Sequence, residues 1–211
     1  MIRNILFDMG SVLVDFSPMR FTAEAKLPPE DAELVREELF RSIEWAQLDR
    51  GTLTDAELLE IMKPRFPERL WPTLERMICR WDEPPVMVPG MYELVEELSR
   101  AGYGLYLLSN AALRHDTYWP RYPVSRFFGD RLLISSHERI TKPDPRFYRL
   151  ALERFGLDPA ECIFIDDVPV NAEGAVYCGI DAIVFRGAQR LRRELLARGV
   201  RLLPSGAAGS V

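Results

Sequence analysis

No apolar run in this sequence approaches the roughly 20 residues that span a bilayer. The opening MIRNILFDMG passes straight into a short strand pattern instead of the regions of a signal peptide. A cytoplasmic protein with no membrane partner is therefore expected. Cysteine is scarce: Cys79, Cys162 and Cys178 are odd in number, far apart and free of any CxxC spacing. That excludes a disulfide framework and a structural zinc site, and leaves them as small buried hydrophobes. Positive charge is not in excess either. With 27 Lys and Arg against 32 Asp and Glu, the net charge of -5 gives no electrostatic footprint for nucleic acid. Internal repeats are absent. What remains is an ordinary globular composition over 211 residues, enough for one well-buried core and a smaller second lobe.

From residue 89 onward, amphipathic helical stretches alternate with short β-branched or aromatic runs, the pattern of a parallel α/β sheet. Met91, Leu94, Val95 and Leu98 fall at helical spacing, Gly102 offers a C-cap, and YGLYLLSN follows as a buried strand. LLIS at 132–135, CIFID at 162–166 and DAIVF read as later strands. PDPRFYRLALERFG carries proline in the first turn of a helix and Gly156 just past its end. Helices ending at Gly179 and spanning about 188–198 complete the series. Residues 16–88 break the rhythm: PEDAELVREELF, TDAELLEIM and ERLWPTLERMICRW are helical patterns with no convincing strand among them. The expected architecture is an α/β fold: a Rossmann-like parallel-sheet core from residues 1–15 and 89–203, an all-helical cap domain inserted at 16–88, and a flexible tail at 204–211. Because the insertion follows the first strand, it sits near the carboxyl end of the sheet, where open α/β sheets bind ligands. The arginines around 190–201 read as a solvated helix face.

Four short segments carry chemistry, each where a strand should end or a loop begin: FDMGSVL, LLSN, TKPDP and IFIDDVPVN. Asp8 taken singly is a turn or cap residue. Asp166 and Asp167 leave a second buried strand, so three carboxylates converge on one crevice, where repulsion and desolvation raise at least one pKa unless a cation intervenes. Magnesium suits such a site, because it takes oxygen ligands from one or two carboxylates, water and substrate phosphate. Lys142 offers a compact positive charge for phosphate, against the bland reading of a solvated loop lysine. Ser109 and Asn110 offer hydrogen-bond donors, or form an ordinary polar turn. Together these groups suit the stabilisation of a transferring phosphoryl group.

These four ordered segments resemble the motifs of the haloacid dehalogenase superfamily, over nearly the whole chain. FDMGSVLVDF, LSNAALRHDTYWP, TKPDPRFY and IDDVPVNAEGA are most similar to bacterial α-D-glucose-1-phosphate phosphatases and related sugar phosphatases with a helical cap. The resemblance implies a magnesium-dependent phosphatase acting on a small phosphate ester through an aspartyl-phosphate, as a monomer or homodimer. Asp8 would attack phosphorus, with Mg²⁺ held by Asp8, Asp167, the Gly10 carbonyl and Asp166, the last as ligand or as supporting acid. Ser109, Asn110 and Lys142 would hold the phosphoryl oxygens, Lys142 would keep Asp8 ionised, and Asn171 would support the metal through its amide. Many relatives carry an aspartate two residues after the nucleophile as general acid and base, and Gly10 stands there instead, as it does in the sugar phosphatases. His115 is a candidate substitute, a substrate contact or a helix cap; His137 reads as a surface or loop residue. Trp45 and Arg50 are candidate sugar contacts, against readings as cap core and as surface. Two alternatives stay open: a 2-haloacid dehalogenase-like hydrolase, which needs no magnesium and typically lacks the acidic pair, and a catalytically silent binding module.

Overall fold

Ile5, Leu6 and Phe7 are fully buried in one short strand, β1 (Asn4–Phe7). Successive side chains on a strand face opposite ways, so both faces of the sheet must be covered. The computed structural model of the protein describes residues 1–203; the expected tail at 204–211 lies outside them. Beside β1 run β2 (Gly104–Ser109), β3 (Leu132–Ile134), β4 (Cys162–Asp166) and β5 (Asp181–Val184). All pairings are parallel, in the order β3-β2-β1-β4-β5. β1 lies at the centre, and Phe7 registers with Leu107 on one side and Ile165 on the other. The chain therefore leaves the middle of the sheet at Asp8, between the ends of β2 and β4.

Between β1 and the next core element come five helices: α1 (Pro18–Glu24), α2 (Pro29–Val35), α3 (Ile43–Asp49), α4 (Asp55–Met62) and α5 (Trp71–Cys79). Helix α2 runs on as a wider π turn over Arg36–Phe40. A capping box starts α4: Thr54 Oγ1 accepts from the Glu57 N–H, and the Glu57 carboxylate accepts from the Thr54 N–H. These helices enclose an apolar cluster of their own, which includes Val35, Leu39, Leu58, Met62 and Leu74. The chain enters and leaves the insertion side by side. Asp15 N–H donates to Val86 O and Val88 N–H to Leu13 O, with a bridge between Val14 and Met87.

Among the described residues the remaining α-helices are α6 (Met91–Arg100), α7 (His115–Tyr118), α8 (Ser135–Glu138), α9 (Pro145–Phe155), α10 (Pro169–Tyr177) and α11 (Ala188–Ala197). Leu94, Leu98, Leu191 and Leu195 pack with Ile5 and Phe7 on one face of the sheet, and Phe147, Tyr148 and Ala175 with Leu6 and Phe164 on the other. The sheet is thus layered between helices, the Rossmann-like α/β arrangement expected. Helix α9 starts where Asp144 accepts from the Arg146 N–H and stops where Gly156 turns left-handed at φ 63°. The third strand stops at Ile134, one residue before the expected end, because Ser135 turns into α8. Cys162 is buried, while Cys79 and Cys178 are half-buried. Among the described residues no helix is long and apolar enough to cross a membrane.

Candidate active site

The site floor is built from strand ends. The Asp8 N–H donates to Ile165 O at 2.8 Å, which extends the β1–β4 pairing by one step and sets Asp8 beside Asp166. Asp8, Asp166 and Asp167 each bring a carboxylate oxygen into a group spanning no more than 4.8 Å. Lys142 Nζ donates to Asp8 Oδ1 and to Asp166 Oδ2, both at 2.7 Å. The Asn110 amide fixes the lysine's backbone: Oδ1 accepts from Lys142 N–H at 2.8 Å, and Nδ2 donates to Lys142 O at 3.0 Å. Asp166 is fully engaged, because Oδ1 accepts from the Val168 N–H and Asn171 Nδ2 donates to both carboxylate oxygens. Past Asp8 the chain turns sharply, with Ser11 at φ 57° and its hydroxyl donating to Phe16 O.

Charge on this floor is unbalanced. Burial raises the Asp8 carboxyl above its ordinary range; Lys142 opposes the rise, while Asp166 and Asp167 add to it. Asp167 is raised as well, by burial and then by Asp166. For Lys142, burial pulls the pKa down, but Asp8 and Asp166 more than offset this, so the ammonium keeps its proton. Three carboxylates face one ammonium, and the oxygen-only donor set fits a hard divalent cation such as magnesium.

Above the floor lies a cavity of about 360 Å³. Asp8, Gly10, Asn110, Lys142, Asp167 and Asn171 line its base, and Phe16, Trp45, Trp81 and Tyr118 line its upper wall. The Phe16 ring ties the wall together, with centroids 5.9 Å from Trp45 and 4.9 Å from Trp81. Arg114 also lines the cavity, but its guanidinium is held by Asp55 at 2.9 Å and by the fully buried Asp82. Asp49, at the end of α3, lines the cavity too. Burial and then the negative charge of Asp8 push its pKa up to about 8, with Lys142 opposing.

The structure therefore brings together Asp8, Gly10, Asn110, Lys142, Asp166, Asp167 and Asn171. Ser109 is buried just behind them, and its hydroxyl has no partner among the described residues. Trp45 is both buried in the helical cluster and part of the cavity wall, so its two readings are compatible. Arg50 and His115 are not gathered here. Arg50 is exposed, because it lies about 140° around the helix from Trp45. His115 is buried off the cavity, its ring stacked on Trp119 at 5.8 Å. Burial lowers its pKa to about 4 against the opposing pull of Asp116, so it stays neutral. His137 is partly exposed on α8 with Nε2 3.2 Å from Asp116. Sequence reading passed over Asp49. The signal was present: it stands four residues after Trp45, on the same helix face.

A family model for haloacid dehalogenase-like hydrolases matches residues 2–179, and the chain belongs to that family. It is a hydrolase. Flavin mononucleotide hydrolase 1 of Arabidopsis thaliana is 28% identical over 54% of this chain, a match that spans only 46% of that protein. The phosphorylated carbohydrates phosphatase of Thermotoga maritima is 26% identical over 85% of this chain and 82% of its own length. The (S)-2-haloacid dehalogenase 4A of Burkholderia cepacia is 25% identical over 86% and 82%. Among solved structures, a family enzyme of Bacteroides thetaiotaomicron in complex with magnesium and inorganic phosphate superposes with a TM-score of 0.66. It is 23% identical and covers 89% of this chain and 96% of its own, a likeness in fold.

Proposed function

We propose that this hydrolase is a magnesium-dependent phosphatase that cleaves a small phosphate ester, with a sugar phosphate as the favoured class. The observation that carries the reading is the floor: three converging carboxylates with Lys142 fixed between two of them. A carbon-centred dehalogenation needs no cation, so this excess of carboxylate would be a pure electrostatic penalty there. The flavin mononucleotide hydrolase and the phosphorylated carbohydrates phosphatase among the relatives support the same choice.

In this reading Asp8 and Asp167, with the Gly10 carbonyl, hold the ion. Asp166 is engaged by Lys142, Asn171 and the Val168 N–H, which suits it to orienting the lysine and the start of α10. Magnesium, when bound, supplies positive charge against the phosphoryl oxygens. Lys142 keeps Asp8 ionised as nucleophile. Asp8 forms a bond to phosphorus, the ester P–O bond breaks, and water then hydrolyses the aspartyl-phosphate. Ser109, whose hydroxyl lacks a partner, and Asn110 donate to phosphoryl oxygens. Residues 16–88 act as a cap that excludes bulk water and contacts the leaving group.

The test is phosphate release from a panel of esters, including α-D-glucose 1-phosphate and p-nitrophenyl phosphate, with and without Mg²⁺. Wild type should turn over in a metal-dependent way, and Asp8→Asn should lose at least about 10⁴-fold while keeping its circular dichroism spectrum. Metal-independent halide release from 2-chloropropionate, with no phosphate release, would overturn the reading.

A further inference from the structure

An alcohol leaving a phosphate ester departs as a strongly basic alkoxide unless a proton reaches its oxygen as the bond breaks. The floor offers no evident donor. Gly10 has no side chain, Lys142 donates to two carboxylates, and Asp166 accepts from three neighbouring groups. His115, the other candidate from the sequence, is stacked on Trp119 away from the cavity.

Outside the three converging carboxylates the cavity carries two more, Asp49 and Asp55, and Asp55 is paired with Arg114. Asp49 lines the same space as Asp8, yet its carboxyl makes no hydrogen bond or ion pair with any described residue. Its position is fixed through its backbone instead. Ser135 Oγ accepts from the Ala111 N–H at 2.9 Å and donates to the Asp49 carbonyl, joining α3 to the loop that follows β2. Two residues on, Gly51 adopts φ 75°, and a Cβ there would fall 2.3 Å from the Ser136 carbonyl oxygen. The helical insertion thus docks onto the start of α8 at a point only glycine permits, and this docking holds the end of α3, with Asp49, at the cavity that Asp8 also lines.

Building on the phosphatase reading above, we propose that Asp49 is the general acid and base of the reaction, delivered to the site by the insertion and not by the nucleophile's own loop. As Asp8 bonds to phosphorus and the ester P–O bond breaks, Asp49 gives its proton to the departing oxygen, which leaves as a neutral alcohol. Water then attacks phosphorus, Asp49 takes one of its protons, and the P–O bond to Asp8 breaks. Inorganic phosphate leaves, with Asp8 ionised and Asp49 protonated again. Burial, the largest cause of the raised pKa of Asp49, favours its protonated form.

The experiment compares wild type and Asp49→Asn on esters of rising leaving-group basicity: p-nitrophenyl phosphate, phenyl phosphate and an alkyl phosphate, all with Mg²⁺. The exchange is nearly isosteric at a carboxyl without partners, so the melting temperature should hold. For p-nitrophenyl phosphate, whose leaving group needs no proton, kcat/KM should change less than about threefold. For the phenyl and alkyl esters it should fall by about 10²–10⁴-fold. Gly51→Ala, which breaks the docking contact, should show the same dependence on leaving group. Equal loss on all esters, or no loss on any, would overturn the assignment. Failure of the wild type on every ester would instead sink the phosphatase reading on which it rests.

Discussion

The base and the wall of the cavity are built on opposite principles. The base is set by strand ends and is polar, charged and cross-linked: a single lysine touches two carboxylates, and one amide clamps its backbone. The wall comes from helices and the connections beside them and is aromatic, held by ring contacts around Phe16. A charged group on the base is costly to place and has one productive geometry. An aromatic wall tolerates many shapes. The comparison separates a charged base at the strand ends from an aromatic wall drawn mostly from residues 16–88, with Asp49 as the carboxyl that the helical segment adds to the cavity.

This division can be broken most directly at Lys142. Lys142→Met should lower turnover by about 10³-fold or more on every ester alike, because it removes the charge that keeps Asp8 ionised. The ranking of esters should survive, and a reordered ranking would blur the line between base and wall. Phe16→Ala should do the reverse. It should raise KM about tenfold for bulky esters, spare p-nitrophenyl phosphate turnover, and lower stability by about 2 kcal/mol, read by urea denaturation.

The backing of the wall should also be sensitive to acid through His115. Its folded pKa of about 4 lies below the usual value of 6.5, so the unfolded chain binds the proton more readily between those values. The cost is absent above about pH 6.5 and grows as pH falls toward 4. Wild type should be about 2 kcal/mol less stable at pH 5 than at pH 7 on this account, and His115→Phe should lose most of that dependence. The smallest effect is expected at Gly10. A Cβ there would meet Phe16 at ordinary contact distance, Cβ at 3.6 Å and Cγ at 4.0 Å, so Gly10→Asp should fold normally. It should speed poor leaving groups by a few-fold, and more in an Asp49→Asn background; flat rates in both would argue against a shortage of acid at this position.

The sequence by itself determined the sheet and the order of its site residues. Buried strands such as Ile163–Asp166 are short apolar runs whose following aspartates have few places to go except the crevice at the strand ends, so local pattern and position coincide. Asp8, Asp166 and Asp167 were legible for that reason, and Lys142 only through its place among the four ordered segments. The wall was not, because a helix face is chosen by what packs against it. Trp45 and Arg50 stand five residues apart, and only the packing of α3 decides that the first meets the cavity and the second meets water. His115 is polar in sequence and buried in the fold, because the aromatic residues Tyr118 and Trp119 surround it. Asp49 is the sharpest case. Its place at the cavity goes with Gly51 lying against Ser136, a contact between residues 85 positions apart that no local pattern contains.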